Sequence, residues 1–538
     1  MEKHWLKFYE SGVSSHLEYP ALTLNQVLKN SSAKFPDHQA LSYLDCSWSY
    51  RNLDGIVSQM AHFLRSLGIQ PGDRVGIQLP NSPQFVIAYY GAIRAGAIVV
   101  PVNPQFSGND LSLIIADSGM KAIVASLEIL PVIQAANPGA VKLIVTDIKT
   151  PFGPGQTHPV PDGTIRMEEL FTQPSSDPTV PVTPDSVATL QYTGGTTGLS
   201  KGAVLSHSNL VTNAIQFRNW FSNVFADGEG RFVCVIPLFH IYGLTTSMNT
   251  AVLTGSAMLL LSKFDLNDLM QLIDKQKPNL FMGVPAMYGA IAARDSHNYD
   301  LRSIRACVSG SAPLPLAIQE KFMKITGGKL VEGYGLSEAS PVVAVNPING
   351  VIKNGSIGLP FPDTEIKVVD PQTGLEVAGP GQVGELLVKG PQVMQGYWNR
   401  SDETALVLKD GWLHTGDLVR YDEDGYLYIA DRLKDMIIMG GEKIYPREIE
   451  DLLYTHPAIR EAAVIGTPHP LRGEVPEAYV ALKEGATTTE KELKQFCSKH
   501  LSKFKVPHKI EIVDALPRSS VGKVLRRLLK DQQAQAQQ

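Results

Sequence analysis

From Arg74 onward, apolar runs of strand length alternate with segments of helical periodicity, and this pattern restricts the fold more than any other feature of the chain. DRVGIQLP, IVVPVNP, KAIVAS and KLIVTD read as strands, and SPQFVIAYYGAIRAGA between the first two reads as a helix. Strands that recur with a helix after each build a parallel, helix-covered sheet. Residues 150–186 interrupt the pattern with eight prolines and little periodicity, so a surface excursion is expected there rather than an element. The alternation then resumes. RFVCVIP, SAMLLLS, NLFMGVP, IRACVSG and KLVEGY read as strands, with helical stretches such as DLNDLMQLIDKQK and LPLAIQEKFMKIT between them. Two doubly wound lobes are expected.

After about residue 350, glycine-punctuated strands such as TEIKVVD, GELLVKG and GYLYIAD predict a smaller β-rich lobe. The last hundred residues differ again. YPREIEDLLYTHPAI reads as a helix with Pro446 near its start, followed by strands EAAVIGTP and EAYVALKE, a helix from Thr489 to Leu501, and strand KIEIVDAL. The expected class is α/β: a large N-terminal domain of two doubly wound lobes plus a β-rich lobe over 1–430, a linker at 431–435, and a small α+β domain over 436–538. A chain of 538 residues supports about three units at roughly 100 to 200 residues each.

Lys plus Arg number 48 against 53 Asp plus Glu, with no long block of one sign, so nucleic acid is not expected as a partner. A hydrophobic fraction of 43% describes a soluble globular protein with large cores. Disorder is expected only in the DQQAQAQQ tail. Cys46, Cys234, Cys307 and Cys497 form no CxxC pair, which argues against zinc or a disulfide framework. MEKHWLKFYESG lacks an apolar core of signal-peptide length, and runs such as Ala257 to Leu261 fall far short of the roughly 20 residues that cross a bilayer. A cytoplasmic location is expected.

LQYTGGTTGLSKG, residues 190–202, follows an apolar strand and concentrates donors. Gly194, Gly195 and Gly198 permit close backbone approach, Thr193, Thr196, Thr197 and Ser200 supply hydroxyls, and Lys201 supplies charge, a composition suited to a polyphosphate. It is not a Walker A loop, because Lys201 follows Ser200 and precedes Gly202. The bland alternative is an ordinary glycine-threonine turn.

Further motifs follow in order. In PLFHIYGL, residues 237–244, His240 sits beside aromatic residues at a strand end, a place where histidine is more often structural than functional. SGSAPLP spans 309–315 and EGYGLSEASP spans 332–341. Gly333 and Gly335 around Tyr334 offer bare backbone and an aromatic face for a purine, and Glu338 is a hard oxygen ligand suited to Mg²⁺. In GWLHTGDL, residues 411–418, Asp417 suits the two hydroxyls of a ribose. DRLKDMIIMGGEKIYPREIE, residues 431–450, and PRSSVGKVLRR, residues 517–527, complete the series. Lys523 in the last of these would, alone, read as a solvated surface charge.

Taken together, in this order and spacing, the motifs resemble those of the acyl-adenylate-forming ligases over nearly the whole chain, most closely the bacterial long-chain fatty-acyl-CoA synthetases. Gly194, where many relatives carry serine, and the EGYGLSE and VGKVLRR wording are similar to the fatty-acyl branch. The resemblance implies two steps. A carboxylate attacks the α-phosphate of ATP to give acyl-AMP and pyrophosphate, and the thiolate of coenzyme A then displaces AMP. It further implies that Thr193 to Lys201, including Gly194, Gly195, Thr196, Thr197 and Gly198, hold the β- and γ-phosphates. Thr197 and Glu338 would hold Mg²⁺, and Gly310, Ser311, Ala312, Gly333, Tyr334, Gly335 and Ser337 would line the nucleotide site. Asp417 with Arg432 would grip the ribose, His240 would bound the acyl pocket, and Lys523 would place its ammonium between carboxylate and phosphate. By the same resemblance the small domain is mobile. It would rotate about Lys434 to present Gly440, Gly441 and Glu442 to coenzyme A.

Three positions depart from the family's wording: Ser337 for threonine, Ser200 for proline, and His469 where aspartate is frequent. Among rival functions, an amino-acid-adenylating enzyme would need an aspartate near Phe239, His240 and Ile241 for the substrate ammonium. An aryl or short-chain CoA ligase, or an adenylating enzyme with another acceptor, stays open, and luciferase-like oxygenation is a remoter rival. A nicotinamide oxidoreductase fails because EGYGLSE lacks the third glycine of the dinucleotide fingerprint. A non-catalytic binding module would not need Glu338, Asp417 and Lys523 together. A fatty acid donor brings transient contact with a membrane surface into the reading, although no strongly basic amphipathic helix supports it. A homodimer is compatible with it.

Overall fold

The computed structural model describes residues 3–150, 152–155, 159–178, 180–193, 200–294, 298–377, 379–440, 442–518 and 523–536. They form two compact units, one of residues 3–365 with 388–413 and one of residues 366–387 with 414–538.

The larger unit holds two sheets. Its eight-stranded sheet runs in the order Gly396–Tyr397, Lys201–Ser206, Val187–Thr193, Ile98–Pro101, Arg74–Gln78, Ala122–Ser126, Lys142–Thr146 and Thr164–Arg166. The four strands expected between Arg74 and Thr146 pair in parallel. The proline-rich stretch is more than an excursion. Thr164–Arg166 adds a parallel edge strand and the 3₁₀ turn Met167–Thr172 buries Met167 and Leu170. A three-residue strand is too short to display a readable alternation.

The nine-stranded sheet runs Leu359–Pro360, Val342–Val345, Lys329–Gly335, Ala306–Ser309, Leu280–Gly283, Arg231–Cys234, Ala257–Leu260, Gln39–Tyr43 and Cys46–Ser49. Its middle strands are parallel, and the hairpin of Gln39–Tyr43 and Cys46–Ser49 closes one edge. Phe281, Tyr288, Phe322 and Cys307 pack in one core of this unit, and Val100, Leu111, Ile123 and Leu190 in another. The helix Pro83–Arg94 starts with proline at its first position and Ser82 accepting from the Phe85 N–H. It ends on Arg94, a fully buried guanidinium. Asn25, Ser58 and Asp54 take its protons, so three helices are bound to one charge at no unsatisfied cost.

The smaller unit pairs Glu365–Val369, Gly384–Lys389, Trp412–Tyr421 and Leu427–Arg432 in one sheet. A second sheet runs Glu442–Ile444, Ile437–Met439, Gly473–Leu482 and Ile459–His469, with Lys509–Val513 parallel to Gly473–Leu482. Helices Pro446–Tyr454 and Glu490–His500 cover it, the second started by a Thr489 capping box. Ile437, Ile449, Leu453, Val464, Val480 and Leu493 form the core. Within the tail, residues 531–536 continue the helix Arg526–Ala536, against the expectation of disorder there, and Leu529 upstream anchors that helix against Ile465, Tyr479 and Leu516; Gln537 and Gln538 lie outside the described residues. Alanine and glutamine are good helix formers, and one buried leucine upstream of them escapes a composition-based reading.

All four cysteines are unpaired; Cys234, Cys307 and Cys497 are buried and Cys46 is half-buried. Among the described residues no helix is long and apolar enough to cross a membrane.

Candidate active site

Lys329–Gly335, Ala306–Ser309, Leu280–Gly283 and Arg231–Cys234 are consecutive in the nine-stranded sheet, so their C-terminal ends line one edge. Open α/β sheets present ligands there. Gly333, Tyr334 and Gly335 close the first of these strands, Gly310, Ser311 and Ala312 follow the second, and His240 lies six residues beyond the last. A Cβ on Gly335 would sit 2.4 Å from the Pro341 carbonyl oxygen, so the backbone there tolerates no side chain. Gly310 donates to the Gly283 carbonyl at 3.2 Å, and Ser311 takes φ 69°. His240 caps the helix that follows it, its Nδ1 accepting from the Tyr242 N–H at 3.3 Å. The structural role of this histidine is therefore explicit. Asn81 binds the Cys234 and Ile236 carbonyls and the Leu238 N–H, which fixes the approach to His240.

Thr193 and Lys201 are register partners across an antiparallel strand pair. Gly194, Gly195, Thr196, Thr197 and Gly198, with the Thr193 side chain, lie outside the described residues. The Lys201 ammonium pairs with Glu403 and stands 5.2 Å above the Tyr397 ring. Tyr397 in turn donates its hydroxyl to Glu338 Oε1 at 2.7 Å. Glu338 follows Ser337 in a 3₁₀ turn, and its carbonyl accepts from the Met394 N–H at 2.8 Å. Gln191, two residues before Thr193, donates to the Phe239 carbonyl at 3.1 Å and so ties the strand entering the glycine-rich loop to the His240 segment. Among the described residues no group of three or more His, Cys, Asp or Glu is placed to hold a metal ion. A single carboxylate such as Glu338 instead fits Mg²⁺, which is commonly held by one or two carboxylates together with substrate phosphates and water.

The smaller unit gathers the remaining charges. Asp417 and Arg432 are register partners on Trp412–Tyr421 and Leu427–Arg432, with Arg432 Nε 3.3 Å from Asp417 Oδ1. Asp417 is only 8% exposed. Burial and the charge of Arg432 pull the Lys523 ammonium down to about 7, assisted by Lys434 and Arg526 and opposed by Asp417. Lys434 is lowered too, by burial and then by Arg432. Arg432, Lys434 and Lys523 thus act on one another around Asp417, with Asp435 a second carboxylate beside Lys434, and such a cluster of cations favours a phosphoryl anion.

Lys523 lies three residues before Arg526, which places both Glu450 oxygens 2.7 Å from its Nη2 and Asp435 3.5 Å from its Nη1. This half-buried pairing anchors the segment carrying the lysine. Gly440, at φ 60°, donates to the Arg472 carbonyl at 2.9 Å, and Glu442 lies opposite Met439 in an exposed hairpin. Gly441 is outside the described residues. His469 closes a local turn: its Nδ1 accepts from the Leu471 N–H at 3.2 Å, the same two-residue reach by which an aspartate closes an Asx turn.

The AMP-binding enzyme family matches residues 28–398, and the AMP-binding enzyme C-terminal domain matches residues 448–523. The chain belongs to that family. This AMP-binding enzyme is 42% identical to a long-chain-fatty-acid–CoA ligase of Bacillus subtilis (strain 168), over 99% of each chain. It is 37% identical to 4-coumarate–CoA ligase 2 of Solanum tuberosum, over 90% of this chain and 89% of that one. Its fold matches the crystal structure of ATP-bound MatB from Rhodopseudomonas palustris with a TM-score of 0.85 and 30% identity, covering 96% of this chain and 100% of that one.

Sequence reasoning did not single out Tyr397, Glu403, Glu450 or Arg526. GYWNRSDE carries no glycine-rich or paired-carboxylate signature, and only its pairing with the Lys201–Ser206 strand gives it significance.

Proposed function

We propose that this AMP-binding enzyme is an ATP-dependent carboxylic acid–CoA ligase that activates a long- or medium-chain fatty acid. Adenylation is supported by the Asp417–Arg432 pair and the cations Lys434 and Lys523 that act on it, and the fatty acid by the likeness to the Bacillus subtilis long-chain-fatty-acid–CoA ligase. In the first step a carboxylate oxygen bonds to the α-phosphorus, the bond to the β-phosphate oxygen breaks, and pyrophosphate leaves. Lys523 in its ammonium form stabilises charge growing on the phosphoryl oxygens. Asp417 and Arg432 hold the ribose, and the Gly310–Ala312 and Gly333–Ser337 segments receive the purine. Thr197 and Glu338 would hold Mg²⁺, which shields the polyphosphate charge. In the second step the thiolate of coenzyme A attacks the acyl carbon and AMP leaves. Lys523 has no part in that step, so residues 431–435 serve as a pivot between domains 1–430 and 436–538, and the Gly440–Glu442 turn faces coenzyme A. The mixed anhydride must be kept from water meanwhile. We place the enzyme in the cytoplasm, collecting acids from a membrane surface, with a homodimer compatible with this use.

A panel of acids from acetate to oleate, with benzoates included, tests the substrate by AMP formation with and without coenzyme A. Specificity should climb by about fourfold per methylene until the pocket fills. A benzoate preferred over every alkanoate defeats the fatty-acid assignment, and AMP formation indifferent to coenzyme A defeats the acceptor.

A further inference from the structure

Tyr397 occupies a two-residue edge strand, Gly396–Tyr397, whose partners are Val204 and Ala203 of the Lys201–Ser206 strand. Its place is fixed from several sides. The Tyr397 N–H donates to Thr404 Oγ1 at 2.9 Å, and the next residue's N–H donates to the Gly202 carbonyl at 2.8 Å. Arg400, in the same segment, pairs with Asp117 at 3.2 Å, and Asp117 also accepts from the Tyr192 hydroxyl at 2.6 Å. A ring held this firmly can orient what it touches. It touches the two ends of the polyphosphate machinery: the ammonium of Lys201 over its face, and the carboxylate of Glu338 at its hydroxyl.

We propose that Tyr397 is a positioning residue for metal-assisted nucleotide binding, its hydroxyl aiming the Glu338 carboxylate while its face holds Lys201 beside the glycine-rich loop. This inference rests on the assignment of Glu338 to Mg²⁺ given above. One carboxylate oxygen accepts the phenolic proton, which leaves the second to face a cation. Without that hydrogen bond the carboxylate samples several rotamers, and the cation must select the productive one from among them. The ring's contact with Lys201 is separable, since phenylalanine retains it. Glu403, the ion-pair partner of Lys201, belongs to the same segment, so an incoming polyphosphate exchanges places with a carboxylate rather than meeting a bare cation.

The test compares Tyr397→Phe, Glu338→Gln and the double variant, each checked for an unchanged thermal midpoint. Equilibrium binding of α,β-methylene-ATP is titrated against Mg²⁺, with metal-free AMP as the control ligand. Tyr397→Phe should raise the half-saturating Mg²⁺ concentration by about tenfold, the loss of one hydrogen bond to a charged group, with AMP binding unaltered. The double variant should show no shift beyond that of Glu338→Gln. If Glu338→Gln moves the Mg²⁺ requirement and Tyr397→Phe does not, the positioning role is wrong while the metal assignment survives. If neither moves it, both fall. Weakened AMP binding in Tyr397→Phe would also overturn the proposal, because it would mark a general structural defect.

Discussion

Lys523→Ala should lower acyl-AMP formation by about 10² to 10³-fold, the range expected when a donor aimed at a developing oxyanion is removed. Thioester formation from supplied acyl-AMP should stay within about twofold of the parent enzyme, because the proposed second step leaves Lys523 idle. Measuring pyrophosphate release and thioester formation separately decides the matter, and equal losses in both would refute the division of labour. The electrostatics add a pH signature. Burial and the charge of Arg432 bring the Lys523 ammonium down to about 7, so in the free enzyme the useful protonated form disappears as pH rises through that value. The kcat/KM for adenylation should therefore fall above about pH 7, and bound phosphate should move the limb of kcat to higher pH.

Stability moves the opposite way. The folded group titrates below an unfolded lysine at about 10.4, so between these values the unfolded chain binds more protons and stability increases with pH. Lys523→Met should accordingly raise Tm at pH 7, with the gain shrinking toward pH 10.

Asp417→Ala should weaken ATP binding by about 10² to 10³-fold, since a buried carboxylate that accepts from both ribose hydroxyls makes two charge-assisted bonds. Calorimetric titration with ATP measures this directly, and an unaltered affinity removes the ribose assignment. The same substitution takes away the carboxylate that faces Arg432, Lys434 and Lys523 together, and leaves Asp435 beside Lys434. Inorganic pyrophosphate should consequently bind the variant no less tightly than the parent. That contrast separates loss of a specific ribose contact from collapse of the site. Asp417 also holds the Lys523 ammonium up, so the alkaline limb of any residual adenylation should shift toward acid.

The parallel strands between Arg74 and Gly335 were readable because each is a buried apolar run followed by a helical pattern, and the observed pairing follows from that repetition. The motif residues were readable as a family set, and the edge of the nine-stranded sheet places Gly310, Gly333 and Gly335 side by side at strand ends. Less was visible where meaning depends on partners distant in the chain. Tyr397 meets Glu338 across 59 residues and Arg526 meets Glu450 across 76, and nothing local marks either contact. On its inner side the Gln39–Tyr43 strand pairs in parallel with Ala257–Leu260, more than 200 residues further along the chain, a pairing set by packing rather than by periodicity. Lys523 reads as a solvated charge in isolation, yet the fold half-buries it among other cations. Such conflict between local expectation and tertiary setting is typical of functional positions.

Thiol chemistry offers a practical handle on this enzyme. Burial pushes the Cys234, Cys307 and Cys497 thiols well up, so they are poor nucleophiles under native conditions. Cys46, on the edge hairpin at the opposite end of the nine-stranded sheet from Lys329–Gly335, is the accessible one of the four. A maleimide dye should attach there with unit stoichiometry, giving a fluorescent reporter whose labelling leaves adenylation intact.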